Sequence, residues 1–323
     1  MDEDVISKIV KDLESGGAAP ASVTDILGQV GDQIERVRKR LSRISHKMAV
    51  MSGKGGVGKS SVTINLALAF AKKGFKVGIL DADISGPSIP KMLGVGGRTI
   101  NITPEGAMPA VSHLGIKVAS MDLMLAGADT PVAWKGTWQD SAVWRGALEM
   151  GVIRELLADV VWGDLDLLLI DMPPASSDKP PIIANLIPDL DGAIMVTIPT
   201  EVSQYIVRKS VTFAVKELKI PIVGLIENMK SFICPECGHK SGLFSPVVSL
   251  VEPEGSTKET SGELGRTMGI PVIGEIPFDS RMSRSADRGL PFIIEFPDAS
   301  ASLSFISIAD KIIDQFLNKE TRQ

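Results

Sequence analysis

MSGKGGVGKSS, residues 51–61, is the stretch that decides the fold. Gly53, Gly58, Lys59 and Ser60 fit the phosphate-loop pattern G-x-x-x-x-G-K-[ST]. Glycines at such positions let successive backbone N–H groups curl round a β-phosphate. Lys59 reaches the β/γ oxygens and the Ser60 hydroxyl is placed to ligate Mg²⁺. The flanks agree. KMAVMS (47–52) is an apolar run that reads as a buried strand, and SSVTINLALAFAKKG (60–74) reads as a helix whose N-terminus faces the anion. The candidate nucleotide-binding set is therefore Gly53, Lys54, Gly55, Gly56, Val57, Gly58, Lys59, Ser60 and Ser61. Lys54 is surplus to the pattern. Its stem starts at the loop mouth and points away from phosphates cradled by its own loop, where a neighbouring molecule could use it.

Outward from this loop the chain alternates strand and helix, which predicts a parallel sheet covered on both faces. Strands are expected at 76–83, 116–121, 166–172, 192–199, 222–229 and 272–277, with helices over 146–159, 203–217 and 302–317. Residues 101–115 and 230–259 read as irregular. The expected fold class is α/β, a mostly parallel P-loop NTPase sheet with helices on both faces, plus a short N-terminal helical extension. The extension spans 1–45 and the ATPase domain 46–323, with a C-x-x-C segment at 230–245. Within the extension EDVISKIVKDLES (3–15) reads as a short helix. Val30, Ile34, Val37, Leu41 and Ile44 form an amphipathic stripe that is expected to pack on the domain itself. The accompanying basic run, Arg36, Arg38, Lys39, Arg40 and Arg43, reads as a solvated face.

Composition bounds the function. The 323 residues are 44% hydrophobic and 23% charged, ordinary for a soluble globular protein, and the net charge of -5 argues against a nucleic-acid platform. Two cysteines make no disulfide framework, and no N-terminal apolar segment or run of 18 apolar residues is present. The expectation is a reduced, cytoplasmic protein with neither a nucleic-acid nor a membrane partner.

Open α/β sheets bind ligands outside the C-terminal ends of their strands. ILDAD ends in Asp81 and Asp83, and LLLIDMPP carries Asp171 directly after a buried-strand run. Asp171 has the Walker B form that holds Mg²⁺ through water, and Asp83 is placed to orient an attacking water. The plain alternative for each is a capping or turn aspartate.

CPECGH supplies Cys234-x-x-Cys237 with His239 beside it. Two thiolates are half of a tetrahedral site, and neither a structural zinc nor a [4Fe-4S] cluster is complete without four ligands. A second C-x-x-C does not exist in the chain, but a symmetric dimer supplies one at its two-fold axis. His239 reads as a solvated histidine rather than a third ligand, and a thioredoxin-type redox pair does not suit the turn-rich surroundings.

The motif KGGVGKS resembles the deviant Walker A ATPases (the MinD, ParA, ArsA and Mrp families), and DADISGPSIPKMLG (81–94), the run from Trp144 to Pro174, IENMKSFICPECGHKS (226–241) and IPFDSRMSRSADRGLPF (276–292) resemble the successive motifs of the Mrp/ApbC iron-sulfur carrier ATPases. The resemblance spans about residues 47 to 295. It implies a homodimeric ATPase that binds ATP and Mg²⁺ and holds a bridging [4Fe-4S] cluster between Cys234 and Cys237 of two subunits. Such a carrier receives the cluster from a donor and delivers it to apo iron-sulfur proteins. It also implies that Lys54 crosses the dimer interface to the partner's nucleotide, that Asp83 and Asp171 are the switch I and switch II aspartates, that Asn228 recognises adenine, and that Pro277 flanks the base. Catalysis is then carried by Lys54, Lys59, Asp83 and Asp171. The N-terminal 45 residues do not match the accessory domain of many members. Another departure follows DMPP, where Gly-Thr-Gly-Asp or Gly-Thr-Ser-Asp is usual and Ala175, Ser176, Ser177 and Asp178 stand here. Slow hydrolysis is the expectation, and in the limit a nucleotide-dependent binding switch with negligible turnover.

A competing reading is a zinc-stapled dimeric ATPase that targets tail-anchored proteins or positions cargo as MinD does. The first needs a long apolar helical insert, and VASMDLMLAGADTPVAW (118–134) is short and broken. The second needs a basic amphipathic C-terminal helix, whereas FISIADKIIDQFLNKETRQ (305–323) balances its acids and bases.

Overall fold

The computed structural model describes residues 21–124, 142–175, 179–234, 236–244 and 269–317. The helix expected at 3–15 lies outside them, as do Ser176, Ser177, Asp178 and Pro235. Helix α1 (Ala21–Leu41) leads into β1 (Ile44–Ser52), α2 (Lys59–Lys72), β2 (Val77–Asp81) and the short α3 (Ile89–Met92). Four small strands follow, β3 (Asn101–Thr103), β4 (Gly106–Met108), β5 (Ala110–Val111) and β6 (Lys117–Ala119). Next come α4 (Ala142–Asp159), β7 (Leu165–Asp171), α5 (Lys179–Leu186), β8 (Gly192–Thr197), α6 (Glu201–Lys216) and β9 (Ile222–Glu227). The hairpin β10 (Ser231–Ile233) and β11 (Lys240–Gly242) precedes β12 (Val272–Glu275), α7 (Arg281–Asp287), α8 (Phe292–Glu295) and α9 (Ser300–Ile312).

The main sheet has eight strands in the order β12-β9-β8-β1-β7-β2-β6-β5, parallel except where β5 pairs with β6. Its strands are apolar on both faces because both are covered. In β1, Met48 and Val50 join a cluster with Phe70 of α2, Phe292 of α8 and Phe305 of α9. The alternate residues Ala49 and Met51 join Leu41 of α1, Ile153 of α4, Ile183 of α5 and Val207 of α6. β1 has β7 on one side and β8 on the other, so the chain builds the sheet outward from it in both directions. Such a switch point leaves a crevice at the strand C-termini, which is where the phosphate loop emerges. Beside it β2 and β7 end in register, with Asp81 opposite Asp171.

Two details depart from the sequence reading. The amphipathic stripe does not run through to Ile44. Helix α1 ends at Leu41, and Ile44 opens β1 opposite Leu165. The basic run is only partly a free face. Arg36 pairs with Asp159 at 3.4 Å, Arg40 Nε donates to the Ala158 carbonyl at 3.3 Å and Arg43 pairs with Asp164 at 2.9 Å. These contacts lie at or near the surface, where solvent screens them, so burial of Val37 and Leu41 is what holds α1 on the domain.

Candidate nucleotide site and cysteine hairpin

The loop from Gly53 to Gly58 joins β1 to α2, and its path demands glycine. Gly56 has φ 78° and Gly58 φ 82°, both left-handed. A Cβ on Gly53 would lie 2.9 Å from Ile206 Cγ2 of α6, and one on Gly58 would overlap the Asn228 amide. Around Gly56 there is open space. Alanine at both left-handed positions strains the backbone by about 1–2 kcal/mol, but only at 58 does it also meet a buried side chain. Gly58→Ala is therefore expected to melt several degrees below Gly56→Ala, and Gly58→Ala/Asn228→Ala to regain part of that difference. Equal melting temperatures for the two single variants would contradict this packing.

At the start of α2, Lys59 and Ser60 converge on Asp171. Lys59 Nζ lies 2.7 Å from Asp171 Oδ2, the Ser60 hydroxyl donates to the same oxygen at 2.7 Å, and the Thr63 hydroxyl donates to Oδ1 at 2.6 Å. Asp171 is fully buried. Thr63 was not among the candidates, although Ser60 and Thr63, three residues apart, share a helix face. Ser60 and Asp171 supply the hard oxygen donors that Mg²⁺ takes.

Asp81, also buried, accepts from the backbone N–H groups of Ser88 at 3.1 Å and Ile89 at 3.2 Å and from the Ser120 hydroxyl at 3.2 Å. Burial, and then the neighbouring Asp171 carboxylate, push its pKa up to about 7. The Asp83 N–H donates to Asp81 at 3.3 Å, which anchors the base of the loop carrying Asp83.

Lys54 is half-buried at the loop mouth, its carbonyl accepting from the Ser52 hydroxyl at 3.0 Å. Its ammonium makes no ion pair with another described residue. Gly55 and Gly56 are exposed and Val57 is buried. Ser61 lines a small crevice with Asn65, Met92, Met282, Ala286 and Phe292. Asn228 is buried at the end of β9, where its Nδ2 donates to the Val57 carbonyl at 2.9 Å and so braces the phosphate loop from behind. Pro277 is half-buried just past β12.

The cysteines occupy the tip of the β10–β11 hairpin, a regular element where the sequence suggested none. Ser231, Phe232 and Ile233 pair with Gly242, Ser241 and Lys240. Within the turn the Cys234 N–H donates to the His239 carbonyl and the Gly238 N–H to the Cys234 carbonyl, each at 2.9 Å, and Gly238 has φ 71°. Cys234 is half-buried, and Cys237 and His239 are exposed. The backbone groups of Cys237 and Glu236 and then the Cys237 side chain hold the Cys234 thiol below its usual pKa, which favours the thiolate a metal needs. Among the described residues no group of three or more His, Cys, Asp or Glu is assembled for a metal ion. The hairpin thus brings two thiols together and leaves them at or near the surface, whereas the Lys59–Asp171 cluster is buried.

A glycine loop at the switch point, a buried lysine and a half-buried hydroxyl at a helix N-terminus, and a strand-end aspartate beside them define a P-loop nucleotide-binding protein. The family described as ParA, NUBPL iron-transfer P-loop NTPase, matches residues 43–143 and 138–313, and the chain belongs to it. It is 42% identical over 291 residues to an iron-sulfur cluster carrier protein of Saccharolobus solfataricus, covering 89% of this chain and 90% of that one. A protein of the same description from Methanocaldococcus jannaschii is also 42% identical, with coverage of 90% and 92%. Among solved structures, a nucleotide-binding protein from Archaeoglobus fulgidus in complex with ADP is 38% identical with a TM-score of 0.66, covering 83% of this chain and 94% of that one. The cell division ATPase MinD of Pyrococcus furiosus superposes with a TM-score of 0.57 at 18% identity, covering 84% and 99%, a likeness of fold alone.

Proposed function

We propose that the protein is an ATP-dependent iron-sulfur cluster carrier that works as a homodimer, binding a [4Fe-4S] cluster as cargo between the hairpins of two subunits and passing it to apo-proteins. The observation that carries the reading is the pairing, in one chain, of the Lys59–Ser60–Asp171 cluster with a surface hairpin that presents only two thiols. The described iron-sulfur carrier relatives and the ADP-bound relative support it.

Backbone donors of residues 53–58 and Lys59 would bind the ATP phosphates, Ser60 would hold Mg²⁺ directly and Asp171 through water, and Asp83 would orient the attacking water. Bound Mg²⁺ neutralises charge on the β/γ oxygens. Because Asn228 already supports the Val57 carbonyl, adenine recognition through its amide would also report the position of the loop. Pro277 would flank the base. The mouth of the loop faces a surface suited to a second copy. Ile206 packs on Gly53, while Val202 and Tyr205 on the same helix are 63% and 61% exposed. Lys54 would cross that surface to the partner's phosphates.

The reading is tested by anaerobic purification with iron, sulfide and zinc measured per chain, together with ATP hydrolysis by the same preparation. Stoichiometric zinc that iron and sulfide do not displace would favour the zinc-stapled alternative. For the lysine in trans, Lys54→Ala and Asp83→Ala are each expected to be inactive alone and to regain activity when mixed, because some heterodimer sites then combine one chain's Lys54 with the other's Asp83. A normally formed heterodimer without activity removes that role.

No helix among the described residues is long and apolar enough to cross a membrane.

A further inference from the structure

A second polar cluster lies behind the two strand-end aspartates, and the motifs do not account for it. Glu149 of α4 is buried, its side chain 6% exposed, yet its Oε2 lies only 2.5 Å from the ammonium of Lys179, the first residue of α5. The same ammonium donates to the Ser85 hydroxyl at 2.8 Å, and that hydroxyl is 3.4 Å from Glu149 Oε1. Three separate pieces of chain meet here. Ser85 lies two residues past Asp83, Lys179 belongs to the segment that leaves β7 after Asp171, and Glu149 comes from the helix packed behind both.

The chemistry gives the cluster a fixed shape. Lys179 is the cation within ion-pair distance of this buried carboxylate among the described residues. With the ammonium committed to Glu149, its remaining donor capacity fixes Ser85. The loop that carries Asp83 is then pinned twice, at its base where Asp81 accepts from the N–H groups of Asp83, Ser88 and Ile89, and near its middle at Ser85. Asp83 sits between the pins.

We infer that Lys179 is a positioning residue that ties the loop of Asp83 to the start of α5 and to Glu149, and so sets the place Asp83 takes against a γ-phosphate. The inference rests on the nucleotide reading above. Its signature is discrimination between nucleotides rather than binding as such, because ADP presents no γ-phosphate for the pinned loop to meet.

The test measures the affinity of the full-length protein for ADP and for the β,γ-imido analogue of ATP, both with Mg²⁺, in wild type, Lys179→Met, Lys179→Arg and the pair Glu149→Gln/Lys179→Met, which leaves no unpaired buried charge if the single variant folds poorly. Wild type is expected to prefer the analogue, and Lys179→Met to lose about tenfold of that preference with ADP affinity nearly unchanged, a loss in the usual range for coupling between sites. Lys179→Arg is expected to recover most of it. Adding Ser85→Ala to Lys179→Met is expected to cost little more, since both changes cut the same link. A preserved analogue-to-ADP ratio in Lys179→Met and in the pair overturns the inference, as does an equal loss for both nucleotides. A wild type that binds neither nucleotide removes the P-loop reading itself, a different result from an unchanged ratio.

Discussion

Lys59→Ala is expected to remove measurable ATP binding and, separately, to lower the stability of the nucleotide-free protein. Hydrogen bonds to charged groups contribute about 1.5–3 kcal/mol each, so losing two ammonium–phosphate contacts weakens binding by about 10²–10⁴-fold. The stability effect arises because the Lys59 ammonium lies 2.7 Å from a carboxylate that is only 1% exposed. Breaking a buried pair from one side costs about 3–5 kcal/mol, and here less, because Ser60 and Thr63 still donate to Asp171. The two losses separate in Lys59→Ala/Asp171→Asn, which no longer buries an unpaired charge. The double variant is expected to regain most of the melting temperature while ATP remains undetectable by calorimetry. Unchanged ATP affinity in Lys59→Ala, or recovery of binding in the double variant, would contradict the assignment.

Lys59, Ser60 and Thr63 all spend their polar groups on Asp171. On the proposed reading Lys59 would serve the phosphates and Ser60 and Asp171 would hold Mg²⁺, which would supply charge neutralisation there. Asp81, whose pKa burial and then Asp171 push up to about 7, is only partly ionised near neutral pH.

Legibility in the sequence followed the range of the interaction. The phosphate loop was readable because its constraints are local: left-handed φ at Gly56 and Gly58, and a lysine and a serine opening a helix. The strands around it were readable because burial on both faces leaves unbroken apolar runs such as 77–80 and 167–170. Periodicity misled at Ile44, whose spacing continues a helical stripe although its backbone pairs with Leu165. It was silent for α5, which opens on Lys179 and two prolines, and for the two- and three-residue strands between 101 and 111, too short to show alternation. The Asn228 bond to Val57 and the Lys179–Glu149–Ser85 cluster join residues distant in the chain. No window of sequence contains both partners, so only the fold could bring them together.

The cysteine hairpin carries the other large expected effect. Cys234→Ala and Cys237→Ala are each expected to abolish cluster binding, because a site assembled from one pair per subunit loses two of its four thiolates whichever position is changed. The fold is expected to survive both changes. The turn is held chiefly by backbone bonds, Cys234 N–H to His239 and Gly238 N–H to Cys234, and by the ladder between β10 and β11, while the groups that bond the Cys234 sulfur lie at the exposed tip, where water replaces it. Reconstituted wild-type protein is therefore expected to hold about four irons and four sulfides per dimer, and both variants close to none with unchanged melting temperature in the metal-free state. Cluster and association are also linked, since a ligand completed only by two subunits stabilises the dimer by mass action. Chelating the iron should weaken self-association measured by sedimentation even without nucleotide, and neither variant should show that dependence. Four irons and four sulfides bound to a monomer, or a cluster that persists in both cysteine variants, would sink the shared-site reading while leaving the phosphate loop untouched.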